Sequence, residues 1–168
     1  MSRKGSTRLI DRGFIGRMRR MEELSRVNVL VGVQADAGAG TDGVPIAEYA
    51  AYNEFGTERI PSRPFMRNSF DANQGEISEV IAQLAGGVQD GKISPDQAGG
   101  LLGELHQGQI QATIQDGVPP PNAPATVKAK GSSKPLIDQS DLVKSIRWVV
   151  EKRAGSAGRF IKSLFRRK

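Results

Sequence analysis

The chain has no cysteine, one histidine, one tryptophan and two tyrosines in 168 residues. The absence of cysteine excludes a disulfide framework and a thiolate metal site, and fits folding in a reducing compartment. A single histidine, His106, excludes an imidazole pair on a metal or a His-His relay, and its position suits an exposed helix residue. No apolar run approaches the ~18 residues that a membrane span needs. The basic N-terminus lacks the continuous apolar core and small-residue cleavage site of a secretory signal. Apolar residues are also scarce, at 38%, whereas glycine (20) and proline (9) are plentiful. One domain with a small core, much loop and extended ends is the expectation.

Charge is present but segregated. Residues 1–26 hold eight Lys/Arg against three Asp/Glu (net +5), residues 27–127 four against twelve (net −8), and residues 128–168 twelve against three (net +9). Basic ends around an acidic middle fit nucleic-acid contact, head-to-tail docking between copies, or solvated arms.

Periodicity places the elements. Ile10, Phe14, Met18, Met21 and Leu24 recur at three- and four-residue steps, predicting an amphipathic helix over 7–26 after a basic arm at 1–6; Gly13 and Gly16 weaken that helix. Residues 27–34, VNVLVGVQ, read as a strand with its odd-numbered valines on one face. Helices are expected over 45–54, 64–84 and 95–115, the last opened by Ser94, Pro95 and Gln97 as a capping box. Residues 86–92 read as a turn. Residues 116–135 hold five of the nine prolines and are expected to be mobile in a free subunit and ordered in an assembly. A short helix capped by Ser140 and Asp141 leads to a second strand at 146–151, free to pair with the first. Domain boundaries follow: an arm at 1–6, one α+β domain at 7–152, and a basic tail at 153–168. In that tail Phe160, Ile161, Leu164 and Phe165 are at helical spacing, and no acidic residue follows Glu151.

The stretch that organises the chain is 44–70, VPIAEYAAYNEFGTERIPSRPFMRNSF. A helix stops at Gly56, a residue suited to a left-handed exit. A loop with Glu58, Arg59 and Arg63 follows, and Pro64 opens the next helix. Three of the six phenylalanines, Phe55, Phe65 and Phe70, are read as core anchors that hold the loop out as a contact arm.

This stretch also resembles a known family. Glu54-Phe55-Gly56-Thr57 followed by Pro61-Ser62-Arg63-Pro64-Phe65-Met66-Arg67 is similar to the signature of neck proteins of tailed bacteriophages, the tail-completion, minor tail-component or virion morphogenesis proteins. A second block at 116–149, with Pro135-Leu136-Ile137-Asp138 and later Leu142 and Ser145-Ile146, resembles the family's later segment, although Gln139-Ser140 stand where many relatives have Thr-Gly. The resemblance implies an α+β fold, a small sheet packed by helices with long loops and termini that order on assembly. It implies a structural role in head–tail joining, as a ring matched to the tail's six-fold symmetry, with a tail-terminator ring as the near alternative. Implied partners are copies of itself and neighbouring neck, tail-tube or head-completion proteins, in a virion assembled in the bacterial cytoplasm. The subunit-contact residues carried over are Glu54, Phe55, Gly56, Thr57, Arg59, Arg63, Pro64, Phe65 and Arg67. The basic residues assigned to DNA in a channel or to subunit docking are Arg17, Arg19, Arg20, Arg159, Lys162, Arg166, Arg167 and Lys168.

Chemistry-bearing patterns dissolve on inspection. Gly38, Gly40 and Gly43 spell G-x-G-x-x-G, but Ala35-Asp36-Ala37 intervene after the strand and Pro45 opens the helix only beyond the last glycine. Asp36 and Asp42 would repel a pyrophosphate. Asp71 begins a calcium-loop-like run whose later places hold Gly75, Glu76 and Ala82, which do not fit. Glu48 and Glu54, six apart, do not share a helical face squarely. The expectation is a protein without catalysis, metal or cofactor. From another class, the alternative is a DNA-binding module acting through its basic ends, without a recognisable helix-turn-helix, zinc finger or RNA-recognition motif.

Overall fold

The two strands lie 113 positions apart in the chain and pair in a single antiparallel ladder. Val27 faces Lys152 and Val33 faces Ile146, so β1 (Val27–Val33) and β2 (Ile146–Lys152) run in full register. The computed structural model describes residues 13–40, 43–122, 128, 136 and 141–153. Among these, the order is α1 (Phe14–Leu24), β1, α2 (Ile46–Phe55), α3 (Phe65–Asp90), α4 (Pro95–Asp116), α5 (Asp141–Ser145) and β2. The fold is α+β.

The long helices α3 and α4 form an antiparallel hairpin, and α4 packs across both strands. It comes close because its sheet-facing positions carry no side chain. A Cβ at Gly99 would stand 2.9 Å from Val27 Cγ1, and one at Gly103 would stand 2.8 Å from both Cβ and Cγ of Trp148. Its N-terminus is closed as the residues require: Ser94 Oγ accepts from Gln97 N at 3.1 Å, and Gln97 Oε1 accepts from Ser94 N at 2.8 Å. The core gathers Ile46, Ala50, Phe65, Ile110, Ile114 and Ile146, with Val118, Leu136 and Leu142 closing it from the loop side. The other sheet face is exposed at Leu30 and its cross-strand partner Val149.

Several expectations need correction. Gly13 is the N-cap of α1 at φ 89, a conformation for which its lack of a side chain is an advantage rather than a weakness; residues 7–12 lie outside the described residues. Helix α3 runs through Gly86 and Gly87 to Asp90 instead of stopping near Leu84. Val88 is fully buried, and the true stop is Gly91 at φ 76, with Lys92 N donating to Gly87 O at 2.9 Å. Burial of Val88 and this six-residue closure offset the glycines' poor helix propensity. Phe65 is fully buried as expected, but Phe55 and Phe70 are exposed to 72% and 45%, so one of the three phenylalanines anchors the core.

The first part of 116–135 makes contacts with the body of the chain. Val118 is buried in the core, and Arg63 Nε donates to Pro120 O at 2.8 Å. Residues 123–127 and 129–135 lie outside the described residues, as do 1–12 and 154–168.

Candidate assembly interface

The loop between α2 and α3 is fixed from within. Gly56 exits α2 at φ 77, and a Cβ there would meet Ser62 N at 3.0 Å. Thr57 N donates to Ile60 O at 2.8 Å, while Thr57 Oγ1 accepts from Arg59 N at 3.3 Å and Ile60 N at 3.0 Å. Ser62 Oγ returns to Glu54 O at 3.0 Å, and Arg63 N donates to Asn53 O at 2.6 Å. Pro64, at φ −75 and ψ 72, makes an inverse γ-turn with Phe65 N donating to Arg63 O at 2.8 Å. Most of the loop's backbone N–H groups are thus bonded within the chain.

Two charged side chains hold the loop to the body. The N-cap of α3 is Pro64, which has no side-chain acceptor for the helix's unpaired amides. Glu54, at the end of α2, supplies it: its Oε2 accepts from Met66 N at 3.0 Å and its Oε1 from Arg67 N at 3.2 Å. A buried carboxylate thus sits at the positive end of α3. Arg63 is buried too. Its Nε bonds Pro120 O, and Nη2 reaches Pro121 O at 3.3 Å and Asn122 Oδ1 at 3.5 Å. The fork ties the loop to the proline segment after α4.

What remains outside is a small, mixed surface. Phe55 is exposed, and Tyr52, one turn earlier on α2, shares its face. Tyr52 Oη donates to Glu48, whose carboxylate holds the phenol above its ordinary pKa first through that hydrogen bond and then through its charge. Glu58 and Arg59 are exposed at the loop tip. Of the carried-over contact residues, Phe55, Thr57, Arg59 and Arg67 are exposed, while Glu54, Arg63 and Phe65 are buried within the chain and Gly56 and Pro64 are half-buried. The expectation that Arg63 is a subunit contact is corrected: its guanidinium is used internally. Tyr52 was missed by sequence reasoning, although its three-residue spacing from Phe55 carried the signal.

The first basic group divides in a similar way. Arg17 and Arg19 are exposed on α1. Arg20 is not free, because Nε donates to Val88 O at 2.9 Å and Nη2 to Gln89 O at 2.6 Å, covering the last carbonyls of α3. Arg159, Lys162, Arg166, Arg167 and Lys168 lie outside the described residues. Among the described residues no group of three or more His, Cys, Asp or Glu is placed to hold a metal, and no helix is long and apolar enough to cross a membrane.

Glu54→Ala should destabilise the chain by about 2 kcal/mol, the upper range for loss of a helix cap, because two part-buried amides lose their acceptor. Glu54→Gln, with one acceptor oxygen and no charge, should fall between wild type and alanine. Urea unfolding followed by circular dichroism measures both.

No family model, curated protein or solved structure matches the chain.

Proposed function

We propose that the chain is a structural subunit of the neck of a tailed-phage virion, acting in tail completion or head–tail joining, as a ring whose adjacent copies meet at the 56–63 loop. The observation that carries this reading is the exposed aromatic pair Tyr52 and Phe55 beside a loop fixed by its own hydrogen bonds. An exposed phenylalanine costs solubility, and a fixed loop orders little more on binding, so its contacts are made without a large entropy loss. The resemblance of residues 54–67 supports the same reading. Its buried members now have a physical role, since Glu54, Arg63 and Phe65 build the platform on which Phe55 and Arg59 are presented. The action is assembly rather than catalysis. Partners are copies of this chain and neighbouring neck, tail-tube or head-completion proteins.

The DNA-binding alternative draws less from the fold, because Arg20 is spent on α3 and α1 offers only Arg17 and Arg19 of its assigned set. Mass photometry with and without short duplex DNA separates the two. Rings without DNA are expected; DNA-dependent binding with a steep salt slope and no ring would favour the module.

The double variant Phe55→Asp/Arg59→Ala changes only exposed side chains, so its Tm should stay within about 3 °C of wild type, as expected for surface changes of ±0.5 kcal/mol. Ring formation and head–tail joining should fail. Normal yields of tailed, infectious particles would overturn the reading.

A further inference from the structure

We propose that the outer edge of β1, with the apolar trough beside it, takes an added strand. The partner is a short extended polypeptide segment, apolar at alternate positions and acidic at its C-terminal end. The trough has a volume of about 200 Å³ and is walled by Leu24, Val27, Val29, Ile81, Leu84 and Leu102. None of its lining residues is charged or polar, and Ile81 is 47% exposed on the α3 wall. Small-molecule sites usually run to about 300–1,000 Å³, so this space suits a few side chains rather than a cofactor. The inference does not depend on the assembly reading.

The backbone of β1 selects a strand as the occupant. Among the described residues β1 has β2 on one side and no strand on the other. No β2 residue lines the trough, and α3 packs on α1 and α4, so the trough follows the unpaired side of β1. Arg153 N donates to Arg26 O at 2.8 Å, next to the Val27–Lys152 pair of the ladder. Bonded and unbonded pairs alternate in an antiparallel ladder, so Val27 and Val29 turn N–H and C=O away from β2. No group among the described residues bonds them there. A helix laid in the trough would leave these groups unanswered, whereas a strand bonds them. Bonded antiparallel partners also share a face, so the residues that bond Val27 and Val29 are those whose side chains enter the trough. The strand VNVLVGV carries none of the usual guards of an edge, having no charge and no proline. A folded second copy cannot supply the antiparallel strand from its own sheet, because α4 already lies against that face of both strands at Gly99 and Gly103.

Charge at the Val27 end sets the polarity of the segment. Arg26, Lys152 and Arg153 gather there; Glu22 answers the first, and Asp96 answers the second at 2.7 Å. Arg153 is exposed with no carboxylate partner among the described residues, and Arg26 Nε has no acceptor. An antiparallel segment ends beside Val27, so its acidic residue belongs directly after the last apolar one.

Nuclear magnetic resonance of the full chain with the peptide acetyl-Lys-Val-Thr-Val-Thr-Val-Glu-amide tests this. At about 1 mM peptide the Val27 and Val29 amide signals should move, and their hydrogen exchange should slow roughly tenfold. N-methylation of the peptide's last two valines keeps every side chain and should abolish both effects. Replacing its glutamate by lysine should weaken binding about twofold to fivefold, the range of an exposed ion pair. Ile81→Asp, at an exposed position across the trough, should abolish binding while the core amides of α4 stay protected. Unmoved Val27 and Val29 signals at that concentration would overturn the proposal. Equal binding of the N-methylated peptide would overturn it as well, since the trough would then take side chains without strand pairing. So would the same shifts appearing when the chain alone is concentrated, by assigning the edge to a second copy.

Discussion

Arg63→Ala should lower Tm by about 9 °C. The loss combines charge-assisted hydrogen bonds worth about 1.5–3 kcal/mol with carbonyls left unpaired, together about 3 kcal/mol, and a chain of this size loses roughly 3 °C per kcal/mol. The guanidinium is buried and its planar fork serves Pro120 O and Pro121 O together, 57 and 58 positions away in the chain. Its neighbour Ser62 is already bonded to Glu54 O. Arg63→Lys keeps the charge but offers a point donor in place of a fork, so it should recover less than half of the loss. Calorimetry of the purified chain decides the matter. A Tm within 2 °C of wild type for the alanine variant would show that the proline segment is held without Arg63.

Gly103→Ala should destabilise the chain by about 2 kcal/mol, whereas Gly108→Ala, five positions along the same helix, should stabilise it by up to about 1 kcal/mol. Intrinsic propensity favours alanine equally at both sites, so the surroundings set the sign. At Gly103 the new methyl would lie 2.8 Å from Trp148 Cβ, an atom bonded directly to the strand backbone that no rotamer moves away. At Gly108 nothing lies within 4 Å. The overpacked variant must push α4 off the sheet, and Trp148 fluorescence should shift with it. Guanidinium unfolding of the two variants beside wild type gives both signs in one experiment. A neutral or stabilising Gly103→Ala would mean that helix and sheet are not in the close contact described.

Features governed by local spacing were legible in the sequence. The capping box at Ser94 and the two strands at opposite ends of the domain follow from residue type and period, while their pairing, open in the sequence, is seen in the fold. The course of α3 was not, because Gly86 and Gly87 read as breakers. What overrides them is tertiary: buried Val88, and Arg20 reaching from α1 to the helix's last carbonyls. Glycines at 99, 100 and 103 gave no signal at all, since only the sheet lying against them reveals why side chains are missing there.

The candidate site was legible as a string and misread in its parts. Arg59 and Arg63 look alike in sequence, yet one is exposed and the other is buried against carbonyls contributed from beyond α4. Phe55 and Phe65 were equivalent as aromatic anchors, but helix phase turns one outward while the γ-turn at Pro64 drives the other into the core. A charge buried by a distant segment leaves no local mark. The division of residues 54–67 into a platform and a presented surface therefore emerges only with the fold.

That presented surface is tested most directly by placing a photoreactive phenylalanine analogue at position 55 and irradiating assembled particles. The account predicts efficient crosslinks from position 55 to an adjacent copy of this chain, with adducts at a multiple of the subunit mass, and none when the same protein is irradiated as a dilute monomer. Crosslinks confined to the chain's own residues, in particles that are fully assembled, would contradict it.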